Sequence, residues 1–351
     1  MENPPRRAIL QSLAILSAGT LASSLGGRGL HAAPQTARRI IDVHHHVYPP
    51  SWVTELARAN QAGALTAARD WAVEKSLADM DKAGVATAIG SITTPGISFA
   101  DDALARRLAR ECNEFMARLA ADHAGRFGFF AILPSPNVSG FNPDASLREI
   151  EYALDTLHAD GIGMLTNFGD KWFGDPDLAP LFNELNRREA VVYTHPTSAN
   201  CCRNAMAGIP DTIVEYGTDT SRAITRTVFS GTSQKYPGMR LIFSHAGGTM
   251  PFLNERMVNL AKTPQYAKQL PNGFLPEAAK FYYDTAQASN AAAMSALKKV
   301  VPVSQIVFGT DYPFRTSLEH VDNLKSCGVF NAAELRAIER ENPLKLLPHR
   351  R

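Results

Sequence analysis

The stretch Ile40-Ile41-Asp42-Val43-His44-His45-His46 joins a strand-forming run to a cluster of potential metal ligands. Its β-branched residues predict a strand, and alternate side chains of a strand lie on the same face. We therefore expect Asp42, His44 and His46 to point one way and His45 to point the other. Two imidazoles on one face can bind one cation, because zinc–nitrogen bonds of about 2.0–2.1 Å require converging ligands.

Similar strand-like runs recur along the chain and alternate with helical segments, of which one ends at a capping glycine, Gly84. Alternation of this kind indicates parallel strands with crossover helices. Eight such units over about 310 residues predict a (β/α)8 TIM barrel. A doubly wound sheet is the alternative, but it would need a glycine-rich nucleotide loop that the sequence lacks. The predicted strands cover residues 39–43, 86–92, 127–133, 161–165, 191–194, 240–244, 281–284 and 305–309.

The composition is that of an ordinary globular protein. Hydrophobic residues make up 45% of the 351 positions, which is enough for a large core. The formal net charge of +2 gives no reason to expect a nucleic-acid partner. No apolar run is long enough for a membrane span. The four cysteines include no CxxC pair, which argues against a cysteine zinc site.

The first 37 residues differ in character from the rest. Arg6-Arg7 precedes a moderately apolar stretch from Leu13 to Leu25 that is rich in small residues. Leu30-His31-Ala32-Ala33 offers a small-residue cleavage site. This order is typical of an export signal, and the paired arginines favour the twin-arginine route. We therefore predict a signal and spacer over residues 1–37, a barrel domain over 38–351 and a periplasmic location. If the signal interpretation fails, the protein is cytoplasmic.

Other polar residues end predicted strands. His195 follows Val191-Val192-Tyr193-Thr194, His245 follows Leu241-Ile242-Phe243-Ser244, and Asp311 follows Ile306-Val307-Phe308-Gly309-Thr310. The carboxyl ends of parallel barrel strands open on one face, where active sites are built. An ionised aspartate among apolar neighbours is costly to bury alone, and a cation is its natural partner.

These motifs resemble the amidohydrolase-2 branch of the amidohydrolase superfamily, and within it the aminocarboxymuconate-semialdehyde decarboxylase group. The opening 43–50 is most similar to 6-methylsalicylate decarboxylase-like members. The resemblance covers the chain from about Ile40 to Leu347. It is carried by Asp42-x-His44-x-His46, Thr194-His195-Pro196, Ser244-His245-Ala246-Gly247-Gly248 and Phe308-Gly309-Thr310-Asp311-Tyr312-Pro313.

The resemblance implies a metal site and its catalytic neighbours. His44, His46, His195 and Asp311 would bind one divalent cation, Zn2+ or Mn2+. Asp311 would also transfer a proton, assisted by His245.

The resemblance also implies where the substrate and a second subunit would lie. Arg256 would reach a substrate carboxylate in the neighbouring subunit of a homodimer, and a solvated helix position is its other interpretation. The family's arginine before Met80 is absent here, where the sequence reads Val73-Glu74-Lys75-Ser76-Leu77-Ala78. We interpret Trp71 and the segment from Asn167 as walls for an aromatic substrate, with loop packing as the alternative.

Two reactions remain open at such a site. One is non-oxidative decarboxylation of a phenolic or related unsaturated acid, in which Asp311 protonates the carbon that loses CO2. The other is hydrolysis of a lactone, an ester or a C–C bond. We predict decarboxylation.

The adjacent Cys201 and Cys202 would have to compete with a complete set of histidine ligands to bind the metal, and we therefore interpret them as part of a structural loop.

Overall fold

The computed structural model describes residues 39–134, 143–169 and 171–350. The predicted TIM barrel is confirmed, because eight parallel strands follow one another in the order β1-β2-β3-β4-β7-β8-β9-β10. The strands are β1 Ile40–His46, β2 Val85–Ser91, β3 Phe127–Ile132, β4 Gly161–Leu165, β5 Asn167–Phe168, β6 Lys171–Trp172, β7 Val191–His195, β8 Arg240–Phe243, β9 Tyr282–Asp284 and β10 Ile306–Val307. The short strands β5 and β6 form a separate antiparallel pair.

Helices follow the barrel strands and cover the outside of the sheet. They are α1 Pro50–Arg58, α2 Ala62–Asp70, α3 Val73–Ala83, α4 Asp102–Asp122, α5 Asp144–Glu151, α6 Ala179–Arg187, α7 Glu215–Phe229, α8 Thr232–Lys235, α9 Met250–Ala261, α10 Pro264–Ala267, α11 Phe274–Ala278, α12 Ala291–Val300, α13 Ser317–Ser326, α14 Ala332–Arg336 and α15 Asn342–Leu346. α3 ends at Gly84 in the left-handed region (φ 76°), as the sequence predicts. Among the described helices, none is both long and apolar enough to cross a bilayer.

Main-chain hydrogen bonds close the barrel between β1 and the segment after β10. The amide of Val43 donates to the carbonyl of Phe308 (3.0 Å), and the amide of Asp311 donates to the carbonyl of His44 (2.8 Å). The amide of His46 donates to the carbonyl of Tyr312 (2.9 Å). This seam holds the first and last strands side by side, and with them His44, His46 and Asp311.

Apolar side chains fill both sides of the sheet, which is why its strands are continuous hydrophobic runs. Inside the barrel, Ile41, Val43, Phe130 and Tyr193 belong to one buried cluster. A larger cluster packs the outer face of the strands against the helices. A core on both faces leaves the strand ends as the place for polar groups. The predicted export signal, residues 1–37, lies outside the described residues.

Candidate metal centre and active site

Three histidines and one aspartate converge at the carboxyl ends of the strands. One ligand atom from each of His44, His46, His195 and Asp311 lies within 4.8 Å of the other three, and all four residues are buried. The Nε2 atoms of His44 and His46 are 3.2 Å apart. Oδ1 of Asp311 is 2.9 Å from Nε2 of His46 and 3.1 Å from Nε2 of His44. Ligands at about 2.0–2.1 Å from one tetrahedral cation lie about 3.3 Å from each other, so the spacing fits a metal.

The partners of the other ring nitrogens show why a cation is needed. Nδ1 of His44 faces Oδ2 of Asp284 (2.9 Å). Nδ1 of His46 faces the carbonyl of Ser91 (3.3 Å), and Nδ1 of His195 faces the carbonyl of Pro196 (2.9 Å). An acceptor at each Nδ1 places the proton there and leaves the Nε2 lone pairs pointing inward. Three lone pairs and a carboxylate oxygen then converge, and a divalent cation satisfies all of them.

The charges around the cluster favour a positive centre. Burial lowers the pKa of His44, but the carboxylates of Asp284 and Asp311 outweigh it and raise the pKa to about 10. Burial raises the pKa of Asp311, but His44, His245 and His46 hold it well below its usual range. Burial and the nearby rings hold the pKa of His195 well below its usual value. Asp311 is therefore a carboxylate and His195 a neutral ligand.

Three successive strands are each followed by a residue in the left-handed region that carries a polar side chain of the site. His245 follows β8 (φ 54°), Gln287 follows β9 (φ 53°) and Asp311 follows β10 (φ 61°). Left-handed backbone costs a residue with a Cβ about 1–2 kcal/mol. Such strain is typical of functional sites, where the surrounding structure fixes the conformation.

The second oxygen of Asp311 faces away from the histidine ligands. Nε2 of Gln287 donates to Oδ2 of Asp311 at 3.0 Å. Nε2 of His245 lies 3.5 Å from the same oxygen and has no hydrogen-bond partner among the described groups. Asp311 therefore offers Oδ1 to the metal cluster and Oδ2 to a proton donor. His245 and Asp311 lie close together, as their proposed cooperation in proton transfer requires. The sequence analysis missed Gln287, because a neutral amide side chain gives no signal of a functional role in the sequence.

The alternation rule held for His44 and His46 but not for Asp42. The register of β1 against β2 shifts between Asp42 and His45, and Asp42 lies outside the metal cluster. Oδ2 of Asp42 accepts a hydrogen bond from Thr310 Oγ1 (2.6 Å) and lies 3.1 Å from Nδ1 of His45. Nε2 of His45 in turn contacts Oγ of Ser76 (2.7 Å). Asp42 thus connects the histidine strand to the segment that carries Asp311.

A cavity of about 520 Å³ opens in front of the metal cluster. His195, His245, Gln287 and Asp311 lie at its polar end. The remaining lining is neutral, and among the described residues it contains no lysine or arginine. It consists of Gln61, Gly63, Thr93, Thr94, Pro95, Thr212, Ile213, Tyr216, Gly217 and Phe314.

Trp71 and Asn167, predicted to line the substrate site, lie elsewhere. Trp71 packs near the ring of Tyr48, with centroids 6.0 Å apart, and is not part of the cavity lining. Nδ2 of Asn167 donates to Oδ2 of Asp219 (2.7 Å), and Nε1 of Trp172 donates to Oδ1 (2.7 Å). Burial raises the pKa of Asp219. Asn167 and Trp172 therefore bind a buried aspartate and do not belong to the cavity lining.

Arg256 lies on the exposed side of α9, away from the cavity of its own chain. Phe252 precedes it by one helical turn and is 85% exposed, and Leu260 follows by one turn and is 40% exposed. Residues four apart share one face of a helix. This face therefore combines a cation with two exposed apolar side chains.

The fold and the ligand set define a mononuclear metal protein of the TIM-barrel class. The chain belongs to the amidohydrolase family, whose model matches residues 41–349. It is 35% identical to the decarboxylase YanB of Aspergillus niger over 325 residues, covering 88% of this chain and 87% of the relative. It is also 35% identical to the 6-methylsalicylic acid decarboxylase of Penicillium expansum over 317 residues, covering 88% of this chain and 96% of the relative.

The solved structures show the same architecture. The manganese-bound dihydroxybenzoic acid decarboxylase of Polaromonas sp. JS666 superposes with a TM-score of 0.75 at 21% identity, covering 90% of this chain and 98% of the other. At that identity the likeness concerns the fold. It shows that the two chains share the same barrel fold.

Proposed function

We propose that the protein is a metal-dependent, non-oxidative decarboxylase of phenolic acids that carry one carboxylate. The observation that carries the proposal is the divided role of Asp311, with Oδ1 among the histidine ligands and Oδ2 beside His245 and Gln287. A carboxylate at the boundary between the metal and the cavity can move a proton onto a substrate carbon. The curated relatives at 35% identity include a 6-methylsalicylic acid decarboxylase.

The residues of the site have separate roles in metal binding, proton transfer and orientation. His44, His46, His195 and Asp311 would hold the cation, which supplies Lewis-acid stabilisation of a bound carboxylate and phenolic oxygen. His245 passes a proton from Nε2 to Oδ2 of Asp311, which delivers it to the ring carbon that bears the carboxylate. The carbon–carbon bond then breaks, its electron pair restores the aromatic ring, and CO2 leaves. Gln287 keeps Oδ2 oriented toward the cavity through its hydrogen bond.

The neutral lining limits the substrate. Apart from its histidines, the described cavity offers no cationic side chain to a second carboxylate. Leaving a charged group unpaired in such a site costs about 1–3 kcal/mol or more, which corresponds to a factor of about 10–100 in affinity. Tyr216, Ile213 and Phe314 instead present apolar surface to an aromatic ring and its methyl substituents.

The test is release of CO2 from a series of 2-hydroxybenzoates. We expect turnover of 2-hydroxy-6-methylbenzoate and a kcat/KM at least about 10-fold lower when the same ring carries a second carboxylate. Lactones and aryl esters are assayed in parallel. Hydrolysis of those compounds without CO2 from any aromatic acid would overturn the proposal in favour of a hydrolase.

We further propose that the native cation is zinc, with manganese as the alternative. Asp284 and Asp311 favour positive charge at His44, and a bound cation would supply that charge in place of the second proton. The ligands would then be three neutral imidazoles and one carboxylate, a set that zinc commonly accepts. Manganese is bound in the related Polaromonas structure. Elemental analysis of the protein purified without added metal distinguishes the two. The His195→Ala variant, expected to lack stoichiometric metal, is the control, and equal metal in both proteins would contradict the ligand assignment.

The proposed assembly is a homodimer in which Arg256 of one copy pairs with the single substrate carboxylate in the cavity of the other copy, so that no cation is left for a second carboxylate. The support is the exposed face of α9, where Arg256 lies between Phe252 and Leu260, and the lack of lysine and arginine among the described residues that line the cavity. Export by the twin-arginine route to the periplasm is also a proposal, supported by Arg6-Arg7 and the apolar stretch that follows.

A further inference from the structure

Two adjacent cysteines lie in the connection between β7 and α7. Sγ of Cys201 is 2.7 Å from Sγ of Cys202. Non-bonded heavy atoms normally approach to about 3.5–4.0 Å, and a disulfide measures about 2.05 Å. We propose that Cys201 and Cys202 form a redox-active dithiol, which closes reversibly to a vicinal disulfide on reaction with a low-molecular-weight disulfide.

The surroundings give the two thiols different roles. Cys201 is exposed and open to a dissolved oxidant, whereas Cys202 is half-buried. Nη2 of Arg222 lies 3.6 Å from Sγ of Cys202. The hydrogen bond with Cys201 raises the pKa of Cys202, and the guanidinium of Arg222 acts in the opposite direction. Because Cys201 is the exposed thiol, it is the attacking one, and Cys202, whose pKa is raised on balance, is the resolving thiol.

The reaction proceeds by two exchanges. The Cys201 thiolate attacks one sulfur of the external disulfide, forming a mixed disulfide and releasing one thiol. The Cys202 thiolate then attacks Sγ of Cys201, which closes the ring and releases the second thiol. The two cysteines lose two protons and two electrons, and the external disulfide takes up both pairs to become two thiols.

Chain geometry makes the closed form easy to reduce again. Adjacent Cα atoms across a trans peptide are about 3.8 Å apart, which is shorter than the roughly 4.4–6.8 Å found across unstrained disulfides. Strained and exposed disulfides have more oxidising potentials and are the labile ones. An excess of a monothiol should therefore restore the dithiol.

The pair is separate from the metal centre but shares a loop with the cavity. Neither cysteine belongs to the histidine–aspartate cluster. The same connection, between the end of β7 at His195 and the start of α7 at Glu215, carries Thr212 and Ile213 of the cavity lining. The dithiol is therefore a second reactive centre, on the loop that borders the active site.

The test is a peptide mass measurement on the full, metal-loaded chain. Trypsin cleaves after Arg188 and Arg203 and releases both cysteines in a single peptide that contains no other cysteine. After exposure to oxidised glutathione and alkylation of free thiols, we expect this peptide to have lost two hydrogens and to carry no alkyl group. Incubation with excess reduced glutathione should return it to the doubly alkylated form.

Matched variants identify the pair. In Cys201→Ser, Cys202 should be alkylated or glutathionylated, and no disulfide ring should form. Cys327 is a half-buried cysteine elsewhere in the chain, and Cys327→Ser is the control that should leave disulfide formation between Cys201 and Cys202 unchanged. A parent peptide that is still doubly alkylated after oxidation, or that retains glutathione, would overturn the proposal. Ring closure that resists excess monothiol would overturn its reversibility.

Discussion

Nδ1 of His44 lies 2.9 Å from Oδ2 of Asp284, and both side chains are fully buried. Asp284 ends β9, and its other oxygen accepts hydrogen bonds from the amides of His245 (2.9 Å) and Ala286 (3.0 Å). One carboxylate thus orients a metal ligand and also the main chain of the proposed proton carrier. Side chains that orient a metal ligand in this way commonly matter almost as much as the ligand itself.

Replacing Asp284 by asparagine should weaken metal binding by about 10–100-fold, because an amide nitrogen facing Nδ1 disturbs the tautomer of His44. The measurement is a competition titration with a chelator of known affinity. Asp177→Asn, which removes an exposed carboxylate paired with Lys171, is the control and should bind metal like the parent. Unchanged affinity in the Asp284 variant would show that the contact does not support the site.

The contact between Asp284 and His44 also illustrates which parts of the site could be predicted from the sequence. The eight strands follow from apolar runs bounded by turns, and the strand ends place His195 and Asp311 beside His44 and His46. By the same rule, Asp284 at the end of β9 could have been recognised, since a buried acid after an apolar run needs a partner. Gln287 could not, because a neutral amide gives no such signal.

Two further differences come from three-dimensional packing. The register shift in β1 turns Asp42 toward Thr310, and strict alternation does not predict an irregular strand. Asn167 comes just after the barrel strand β4, yet its side chain is bound by Asp219, more than fifty residues later in the sequence. Contacts between distant segments of this kind have no local pattern in the sequence.

His245→Asn should reduce kcat by about 10²–10⁴-fold and leave metal content unchanged, since His245 is proposed to move a proton and not to bind the metal. Asparagine is chosen because it tolerates the left-handed backbone found at this position (φ 54°). Steady-state kinetics with metal analysis of the same sample is the measurement.

His158→Asn is a matched control, because His158 is exposed and has a similar backbone angle (φ 55°). It should retain parental kcat. Loss of metal from the His245 variant would place that side chain among the ligands instead, and unchanged kcat would remove it from the mechanism.

Arg256→Ala should lower kcat/KM by about 10-fold or more if its guanidinium pairs with a substrate carboxylate. Co-expressing this variant with His245→Asn tests whether the arginine acts across a dimer. A hybrid dimer then has one site with both changes and one intact site, so random pairing restores about a quarter of parental activity.

The alternative outcome is equally distinct. If Arg256 acts within its own chain, every site of the hybrid carries one change and no activity returns on co-expression. A monomer in sedimentation experiments would also contradict the proposed assembly. Arg118→Ala, an exposed arginine on α4 paired with Glu114, is the control and should behave like the parent.

Replacing Arg6 and Arg7 by lysine should abolish export, because the twin-arginine route depends on the arginine pair. The measurement compares enzyme in periplasmic and cytoplasmic fractions of a bacterium that has this route, with a chain starting at residue 38 as the non-exported control. Parental protein confined to the cytoplasm would reject the export signal, and equal export of the lysine variant would point to another route.

Asp160 stabilises the opposite end of the barrel, where it precedes β4. Its carboxylate is fully buried and is bound through both oxygens by Arg350, at 2.6 Å each. Oδ1 also contacts Nε2 of His349 (2.7 Å), and Oδ2 accepts the amide of Phe129 (2.7 Å). Burial raises the pKa of Asp160, but His349 and Arg350 outweigh it and hold the pKa below its usual range. The end of the chain is thereby fastened to the barrel.

Asp160→Asn should destabilise the protein by about 3–5 kcal/mol at pH 7, because the change leaves Arg350 without its counter-charge in a largely buried position. Since the folded pKa lies below the unfolded value of about 3.9, the ionised carboxylate stabilises the fold above that pH. The stabilisation is lost as the pH falls through the folded pKa, so the difference between parent and variant should shrink in acid. Chemical unfolding followed between pH 7 and 3 measures it. Asp102→Asn, which breaks an exposed pair with Arg106, should change stability little at any pH, and a constant difference for Asp160→Asn across the range would contradict the ionic account.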